Sequence, residues 1–245
     1  MRRWLLTYDE YDPAAEGIRE ALCTLGNGYF ATRGCTPEAT ADGVHYPGTY
    51  VAGCFDRLTS EVAGRTVDNE DLVNAPNWLP LTFRVDGGPW FTVDGPARPL
   101  SFRQELDLRR GVLTRLVRVQ DADGRVTRVA QRRIVSMADP HLAALETTIV
   151  PENWSGRLEV RSALDGRVTN SGVARYRELN GAHLSPVEEG DDDEIIWLVA
   201  TTATSRICLA VAARTRTADK AKRTPRAEAG WVADDLLFDA TEGVP

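Results

Sequence analysis

Hydrophobic and polar residues alternate with a period of two along most of the chain, which is the pattern of strands with one buried face. The clearest case is 126–135, where Val126, Arg128, Ala130, Arg132 and Ile134 share one face. The other segments of strand length are 81–86, 90–93, 112–120, 142–150, 158–164, 195–202 and 207–215. Turn residues separate them, and no βαβ alternation is present. The pattern therefore predicts an all-β fold, a large antiparallel β-sandwich.

Three further segments complete this picture. Helical periodicity is confined to 14–22, where Gly17 limits the expected helix to two turns. The acidic run 188–194 lacks the register of a calcium loop and predicts a solvated hairpin tip. The basic run 220–226 is too short for a nucleic-acid surface and predicts an exposed loop.

Composition places the chain among ordinary globular proteins, since 42% of its 245 residues are hydrophobic and 27% are charged. We expect a single sandwich domain over 1–245. A net charge of −7 disfavours nucleic acid as a partner. The longest apolar runs, such as 207–213, are too short to span a membrane. Because no signal peptide develops before Tyr8, a cytoplasmic location is expected, with buried free thiols at Cys23, Cys35, Cys54 and Cys208.

The chain offers little recognisable catalytic chemistry. His45, His141 and His183 are far apart and have no zinc-motif spacing, so no metal site is predicted. Neither a GxSxG motif, a phosphate-binding loop nor a GxGxxG motif after a strand is present, so no nucleotide cofactor is expected. Carboxylate pairs cannot be chosen from 36 acidic residues by spacing. No catalytic residue is therefore predicted.

Glycine, asparagine, tryptophan and proline cluster in 25–34, 45–55 and 69–81. Together with 103–115, 136–141, 151–156 and 164–166, and in the same order, these segments resemble the N-terminal domain of glycoside hydrolase family 65. The resemblance covers essentially the whole chain. It implies an N-terminal β-sandwich followed by a helical linker, a catalytic (α/α)6 barrel and a small C-terminal sheet. In the phosphorylases of that family, a barrel glutamic acid protonates the glycosidic oxygen while inorganic phosphate attacks the anomeric carbon.

No segment of this chain matches the barrel. The resemblance implies a non-catalytic N-terminal domain or truncated product of an inverting disaccharide phosphorylase or hydrolase, with 218–245 leading towards the linker. Whether to class the chain as an enzyme is left open, because we predict it to be inactive alone. The missing barrel, α-linked glucosyl disaccharides and a second copy are the implied partners, and phosphate is the implied co-substrate of the complete enzyme. The alternative is a free-standing carbohydrate-binding module.

Segment 69–81 is the sharpest functional candidate. Pro76 and Pro80 stiffen it, and we expect it to form a loop that docks near the mouth of the barrel's sugar site. The candidate substrate-proximal residues are Glu70, Asn74, Asn77 and Trp78. Trp78 is expected to be substantially exposed, since an aromatic face can stack on a sugar ring. The competing interpretation is that the segment only packs against neighbouring protein.

Overall fold

The computed structural model describes residues 4–171 and 178–245. Within this part of the chain it has one helix, α1 (Pro13–Leu22), and many antiparallel strands. The strands are β1 (Leu5–Tyr8), β2 (Leu25–Gly26), β3 (Phe30–Thr32), β4 (Thr49–Val62), β5 (Arg65–Asn74), β6 (Leu81–Val85), β7 (Arg98–Asp107), β8 (Val112–Gln120), β9 (Val126–Val135), β10 (Ala143–Pro151), β11 (Gly156–Asp165), β12 (Leu184–Asp192), β13 (Ile195–Thr202), β14 (Cys208–Arg214), β15 (Lys222–Glu228) and β16 (Trp231–Ala240).

The strands form four sheets, and the all-β antiparallel prediction is confirmed. A five-stranded sheet has the order β1-β7-β8-β9-β10, and a four-stranded sheet has the order β15-β16-β11-β6. The other two have the orders β12-β13-β14 and β2-β3-β4-β5. No helix in the described residues has the length and apolar character needed to cross a membrane.

Strand β11 shows how the sheets form layers. Leu158 and Val160 pack in one apolar cluster with Val129 of the five-stranded sheet. Leu164, on the same face of β11 by the period of two, packs with Leu198 of the three-stranded sheet instead. One face of the β15-β16-β11-β6 sheet is therefore covered by two other sheets, which is the arrangement of an extended sandwich.

An irregular segment, 34–39, is buried between these layers although it belongs to no strand. Its backbone groups find partners in distant elements: Gly34 N donates to Glu20 O at 2.8 Å, and Leu81 N donates to Pro37 O at 3.0 Å. Gly34 is needed here because a Cβ on it would lie 2.4 Å from the Cβ of Cys23. The segment thus holds α1 against the sheets.

Several elements differ from the sequence prediction. Residues 90–93 are not a strand, because only one backbone bond, from Phe91 N to Phe83 O at 2.7 Å, joins them to β6. The basic run 220–226 is mostly strand β15 and not a loop, since residues 222–226 pair antiparallel with β16. The ion pair between Arg223 and Asp234 of β16, at 2.7 Å, accompanies this pairing. Helix α1 is ten residues long, longer than two turns. Cys208 is exposed, whereas the other three cysteines are buried as expected.

Candidate functional site

The candidate site is the polar surface where segment 69–81 lies against 165–171 and 178–183. Asn77 and Asp165 exchange both backbone hydrogen bonds, at 2.8 and 2.9 Å. Asn170 reaches the same surface from the other side: its Oδ1 accepts from Asn74 N at 2.8 Å and its Nδ2 donates to Leu72 O at 2.8 Å. Side-chain amides therefore join two segments that are almost one hundred residues apart in sequence.

The two asparagines that were predicted to lie near the substrate, Asn74 and Asn77, help to hold these segments together. Asn74 is buried, and its carboxamide accepts from Thr49 N at 3.0 Å and donates to Thr169 O at 3.1 Å. Asn77 is also buried, and its Oδ1 accepts from Leu79 N at 3.1 Å. The Asn74 carboxamide is engaged by backbone groups through both its oxygen and its nitrogen, and the Asn77 carboxamide through its oxygen. A contact of either residue with a sugar stays a prediction.

Two tyrosines border the same surface. The hydroxyl of Tyr50 donates to that of Tyr46 at 3.0 Å, and Ser171 N donates to the Tyr46 hydroxyl at 3.2 Å. Burial and the neighbouring Tyr46 raise the pKa of Tyr50, so this hydroxyl stays protonated as a donor.

A buried histidine lies behind this surface between two carboxylates. His183 Nδ1 is 3.2 Å from Asp56 Oδ2, and its Nε2 is 3.1 Å from Asp71 Oδ2. His183 and Asp56 are almost fully buried, whereas the Asp71 side chain is 30% exposed. This chain of groups connects the core to the surface of strand β5. The sequence analysis missed it, because Asp56 and His183 are 127 residues apart and follow no motif.

Asp56 is held as a carboxylate. Its Oδ1 accepts from Thr204 N at 3.0 Å, Ser205 N at 2.7 Å and Ser205 Oγ at 2.9 Å. Burial alone would raise the pKa of Asp56, but these hydrogen bonds and the one from His183 hold it below its ordinary value. Since Ser205 donates to Asp56 and not to the histidine, the arrangement differs from a serine nucleophile with a histidine base.

A second buried histidine, His45, also lies between two carboxylates. Its Nδ1 lies 2.8 Å from Glu20 Oε1 and its Nε2 lies 2.9 Å from Asp94 Oδ2. Tyr11 donates its hydroxyl to Asp94 as well. Burial alone would lower the pKa of His45, but the hydrogen bonds and charges of Glu20 and Asp94 raise it above its ordinary value. The imidazolium therefore bridges a buried carboxylate and a partly exposed one.

Glu20, Cys35 and His45 together offer three buried ligand atoms within 4.8 Å of one another. A metal ion would require the Cys35 thiolate. Burial and the neighbouring Glu20 carboxylate raise the pKa of the Cys35 thiol well above its ordinary value, so it remains a hydrogen-bond donor to Glu20. The three groups satisfy one another by hydrogen bonds.

The remaining predicted residues lie in different surroundings. Glu70 is exposed and pairs with Arg57 at 2.8 Å across the β4–β5 hairpin. Trp78 packs against the apolar cluster that contains Leu164 and Leu198. The expectation of a substantially exposed Trp78 is wrong, because its ring covers this part of the core and its Nε1 is buried. Residues 69–74 belong to strand β5 and Leu81 begins strand β6, so only 75–80 form a loop.

Comparisons with known proteins agree with this architecture. The family model described as glycosyl hydrolase family 65, N-terminal domain, matches residues 6–245. The chain therefore belongs to the N-terminal domain of glycosyl hydrolase family 65, and the predicted resemblance is confirmed.

The individual relatives are much longer than this chain. An uncharacterized glycosyl hydrolase of Mycobacterium tuberculosis is 53% identical over 86% of this chain and 16% of its own length. A kojibiose phosphorylase of Halothermothrix orenii is 33% identical over 72% of this chain and 21% of its own length. A solved putative kojibiose phosphorylase from the human microbiome has the same fold, with a TM-score of 0.81, 18% identity, and coverage of 98% of this chain and 30% of its own.

The His45 bridge predicts a specific dependence of stability on pH. Because the pKa of His45 is raised on folding, its contribution is complete below the unfolded value of about 6.5 and is lost as pH rises through the folded value. We expect His45→Gln to lower the free energy of unfolding by about 3 kcal/mol at pH 6, and by less at pH 9. Urea denaturation at both pH values measures this.

The matched control is His141→Gln, which changes a histidine that is exposed on a turn. It should cost less than about 1 kcal/mol. An effect of His45→Gln that is equal at pH 6 and pH 9 would contradict the charged bridge.

Proposed function

We propose that the chain is a non-catalytic domain that supports the (α/α)6 barrel of an inverting α-glucoside phosphorylase or hydrolase. Family membership and the greater length of the relatives support this proposal. Inorganic phosphate as co-substrate of the complete enzyme, α-linked glucosyl disaccharides as substrates and a cytoplasmic location are parts of the same proposal.

The observation that carries the proposal is an exposed apolar surface, here called the apolar end. Met137 is 80% exposed and Trp4 is 59% exposed, which is unusual for side chains of this size. The apolar end consists of Trp4, Tyr29, Leu108, Ile134, Met137 and Leu142.

Strand topology brings these residues together. Leu5 pairs with Asp107, so Trp4 and Leu108 lie at one end of the five-stranded sheet. Since β9 pairs with both β8 and β10, the turn between β9 and β10 that carries Met137 and Leu142 lies at that same end. Tyr29 is held there by its ring contact with His141 at 4.3 Å. A group of exposed apolar side chains at one end of a sheet favours a contact with other protein, which we propose is the barrel.

A carbohydrate-binding module would instead need an open aromatic platform. Trp154 is buried, and Trp78 covers the core. The Arg161 guanidinium lies over both the Trp90 ring, at 4.3 Å, and the Trp231 ring, at 5.5 Å, so a sugar would have to compete with a cation. Among the described tryptophans only Trp4 is strongly exposed, and it belongs to the apolar end. These observations favour the supporting domain.

We further propose that the β4–β5 hairpin and the loop after it shape the sugar site of the barrel. The hairpin exposes Glu70 and leaves Asp71 partly open, while the network around Asn74, Asn170 and His183 fixes the backbone beneath them. A carboxylate held on a rigid backbone can accept hydrogen bonds from sugar hydroxyls without losing much conformational freedom.

The first prediction of this proposal concerns the activity of the chain alone. We expect no phosphorolysis or hydrolysis of trehalose, kojibiose, nigerose or maltose, because the barrel supplies the catalytic acid in the proposal. Release of glucose or glucose 1-phosphate is measured with purified protein. Release above the uncatalysed background would contradict the proposal.

The second prediction concerns the apolar end. The double variant Leu108→Gln, Met137→Gln should bind at least twofold less hydrophobic dye and associate less in light scattering, because two large apolar side chains are removed from one patch. Val187→Gln is the control, since Val187 is 61% exposed on a different sheet. An equal loss of dye binding in the control would show that the apolar end is not a distinct contact surface.

The third prediction separates a sugar contact from a surface ion pair. In a polypeptide that joins this chain to a family 65 catalytic barrel, Glu70→Gln should raise KM for the disaccharide about threefold or more while kcat stays within twofold. Arg57→Gln breaks the same ion pair, which is exposed and worth no more than about 1 kcal/mol. If Arg57→Gln raises KM equally, the effect comes from the hairpin and Glu70 does not meet the sugar.

A further inference from the structure

Three segments bring a carboxylate, a thiol and an imidazole together in the core. Glu20 comes from helix α1, Cys35 from the irregular segment 34–39 and His45 from the loop before β4. One carboxylate oxygen, the sulfur and one ring nitrogen lie within 4.8 Å of one another. All three residues are at most 2% exposed. Carboxylate, thiolate and imidazole are the groups that bind zinc in proteins, so the cluster has the donor set of a zinc site.

The spacing of these atoms is close to that of ligands around a tetrahedral ion. Zinc bonds of about 2.0–2.1 Å to nitrogen and oxygen and about 2.3 Å to sulfur place two ligand atoms about 3.3–3.6 Å apart. His45 Nδ1 and Glu20 Oε1 are 2.8 Å apart, so an ion requires them to separate by about 0.5 Å. The sulfur lies within 4.8 Å of both other ligand atoms. Small side-chain rotations are sufficient to bring all three to a common ion.

Two of the ligands are held by further contacts, as is typical of zinc ligands. His45 Nε2 lies 2.9 Å from Asp94 Oδ2, which orients the ring so that Nδ1 is the atom directed at the cluster. The Glu20 carboxylate accepts from Tyr46 N at 3.0 Å through Oε2, which leaves Oε1 directed at His45. A carboxylate behind a ligating histidine is the commonest support of this kind in zinc sites.

The charge of the cluster is compatible with a divalent cation. In the metal-free chain, His45 Nδ1 and the Cys35 thiol carry protons beside the Glu20 carboxylate. A bound zinc ion takes the place of these two protons, which pass to the solvent, because a coordinating thiol is deprotonated by the metal. Two positive charges replace two, so the buried cluster gains no net charge. The pH dependence described for His45 therefore belongs to the metal-free chain.

We propose that Glu20, Cys35 and His45 bind one zinc ion that fastens α1 and segment 34–39 to the loop before β4. Three protein ligands leave the fourth position of a tetrahedral ion to a water molecule. A thiolate and an imidazole favour zinc over magnesium and calcium, which prefer oxygen ligands. The sequence analysis predicted no metal site, because the residues of the cluster follow no zinc motif.

The competing interpretation is that the three groups hold one another by hydrogen bonds alone. The two arrangements differ in two measurable properties. Only a bound ion links the stability of the fold to the zinc concentration. Only a bound ion also requires the Cys35 side chain to be a thiolate.

The first test refolds the tag-free chain from urea after treatment with a chelator, with and without zinc sulfate. We expect one zinc ion per chain after gel filtration, measured by elemental mass spectrometry. If the dissociation constant is about 10 nM, free zinc at about 10 μM should increase the folding equilibrium constant about 1,000-fold. A chain that retains no zinc and has the same stability in both buffers would overturn the proposal.

Three variants locate the ion. Cys35→Ser removes the thiolate and should abolish one-to-one zinc binding. Asp94→Asn keeps all three ligands but weakens the support of His45, so zinc affinity should fall about 10- to 100-fold. Cys54→Ser changes another buried cysteine, which lies outside the cluster, and should bind zinc like the unchanged protein. Equal loss of binding in Cys35→Ser and Cys54→Ser would overturn the assignment to this cluster.

Cobalt(II) in place of zinc gives a measurement that does not depend on the folding of a Cys35 variant. We expect a thiolate-to-cobalt charge-transfer band together with the visible bands of a tetrahedral ion. Cys208→Ser removes the exposed thiol and should leave this spectrum unchanged. Absence of the charge-transfer band, or its loss in Cys208→Ser, would overturn the proposal. Neither result depends on the proposed supporting role in an enzyme, so the two proposals can fail separately.

Discussion

The burial of an irregular segment in the middle of the sandwich constrains the rest of the structure. Residues 34–39 are buried in succession and form no strand, so apart from the turn bond from Ala39 N to Thr36 O at 3.1 Å their backbone groups need partners in other elements. Each unsatisfied group would cost about 1–3 kcal/mol. The protein meets this demand with charged side chains from other elements: Arg133 binds the carbonyl groups of Cys35 in the segment and of Arg33 just before it, and Glu20 accepts from Tyr46 N beyond it. The polar residues in the core are therefore a consequence of the course of segment 34–39 through the interior.

The two buried histidines also link segments that are far apart in sequence, and they do so through polar contacts in the interior. His45 and His183 each lie between a carboxylate in the interior and one that is partly exposed. His45 joins helix α1 to the loop that contains Asp94, and His183 joins strands β4 and β5 to the segment before β12. Short-range contacts could not hold such loops, because the partners are separated by 25 to 127 residues.

The sequence predicted those parts of the fold that depend on local alternation. Strands β8 and β9 have the predicted boundaries, because apolar and polar residues alternate regularly along them and glycine marks their turns. Residues 69–74 of strand β5 were predicted to be part of a loop, because segment 69–81 was selected for its prolines, amides and carboxylates. Cross-strand hydrogen bonds such as Thr59 to Asp68 at 2.9 Å and Ser60 to Asn69 at 2.9 Å stabilise it in place of apolar packing. These pairs form only when the two strands of the hairpin come together, so the local sequence pattern does not predict them.

The sequence singled out segment 69–81 as a functional candidate but could not identify the side chains that it contacts. Segment 69–81 was selected for its residue types, and the structure brings it against 165–171. The partners Asn170 and His183 come from a distant part of the chain, which spacing cannot identify. Their engagement also bears on function, because a general acid or base must reach a substrate proton. Both ring nitrogens of His45 and His183 face carboxylates, and Asn74 and Asn170 bind backbone. A substrate that approached His45 or His183 would have to break one of these contacts before the ring could take up or give away a proton. Groups arranged in this way hold a surface in one shape, which is what the proposed supporting role requires.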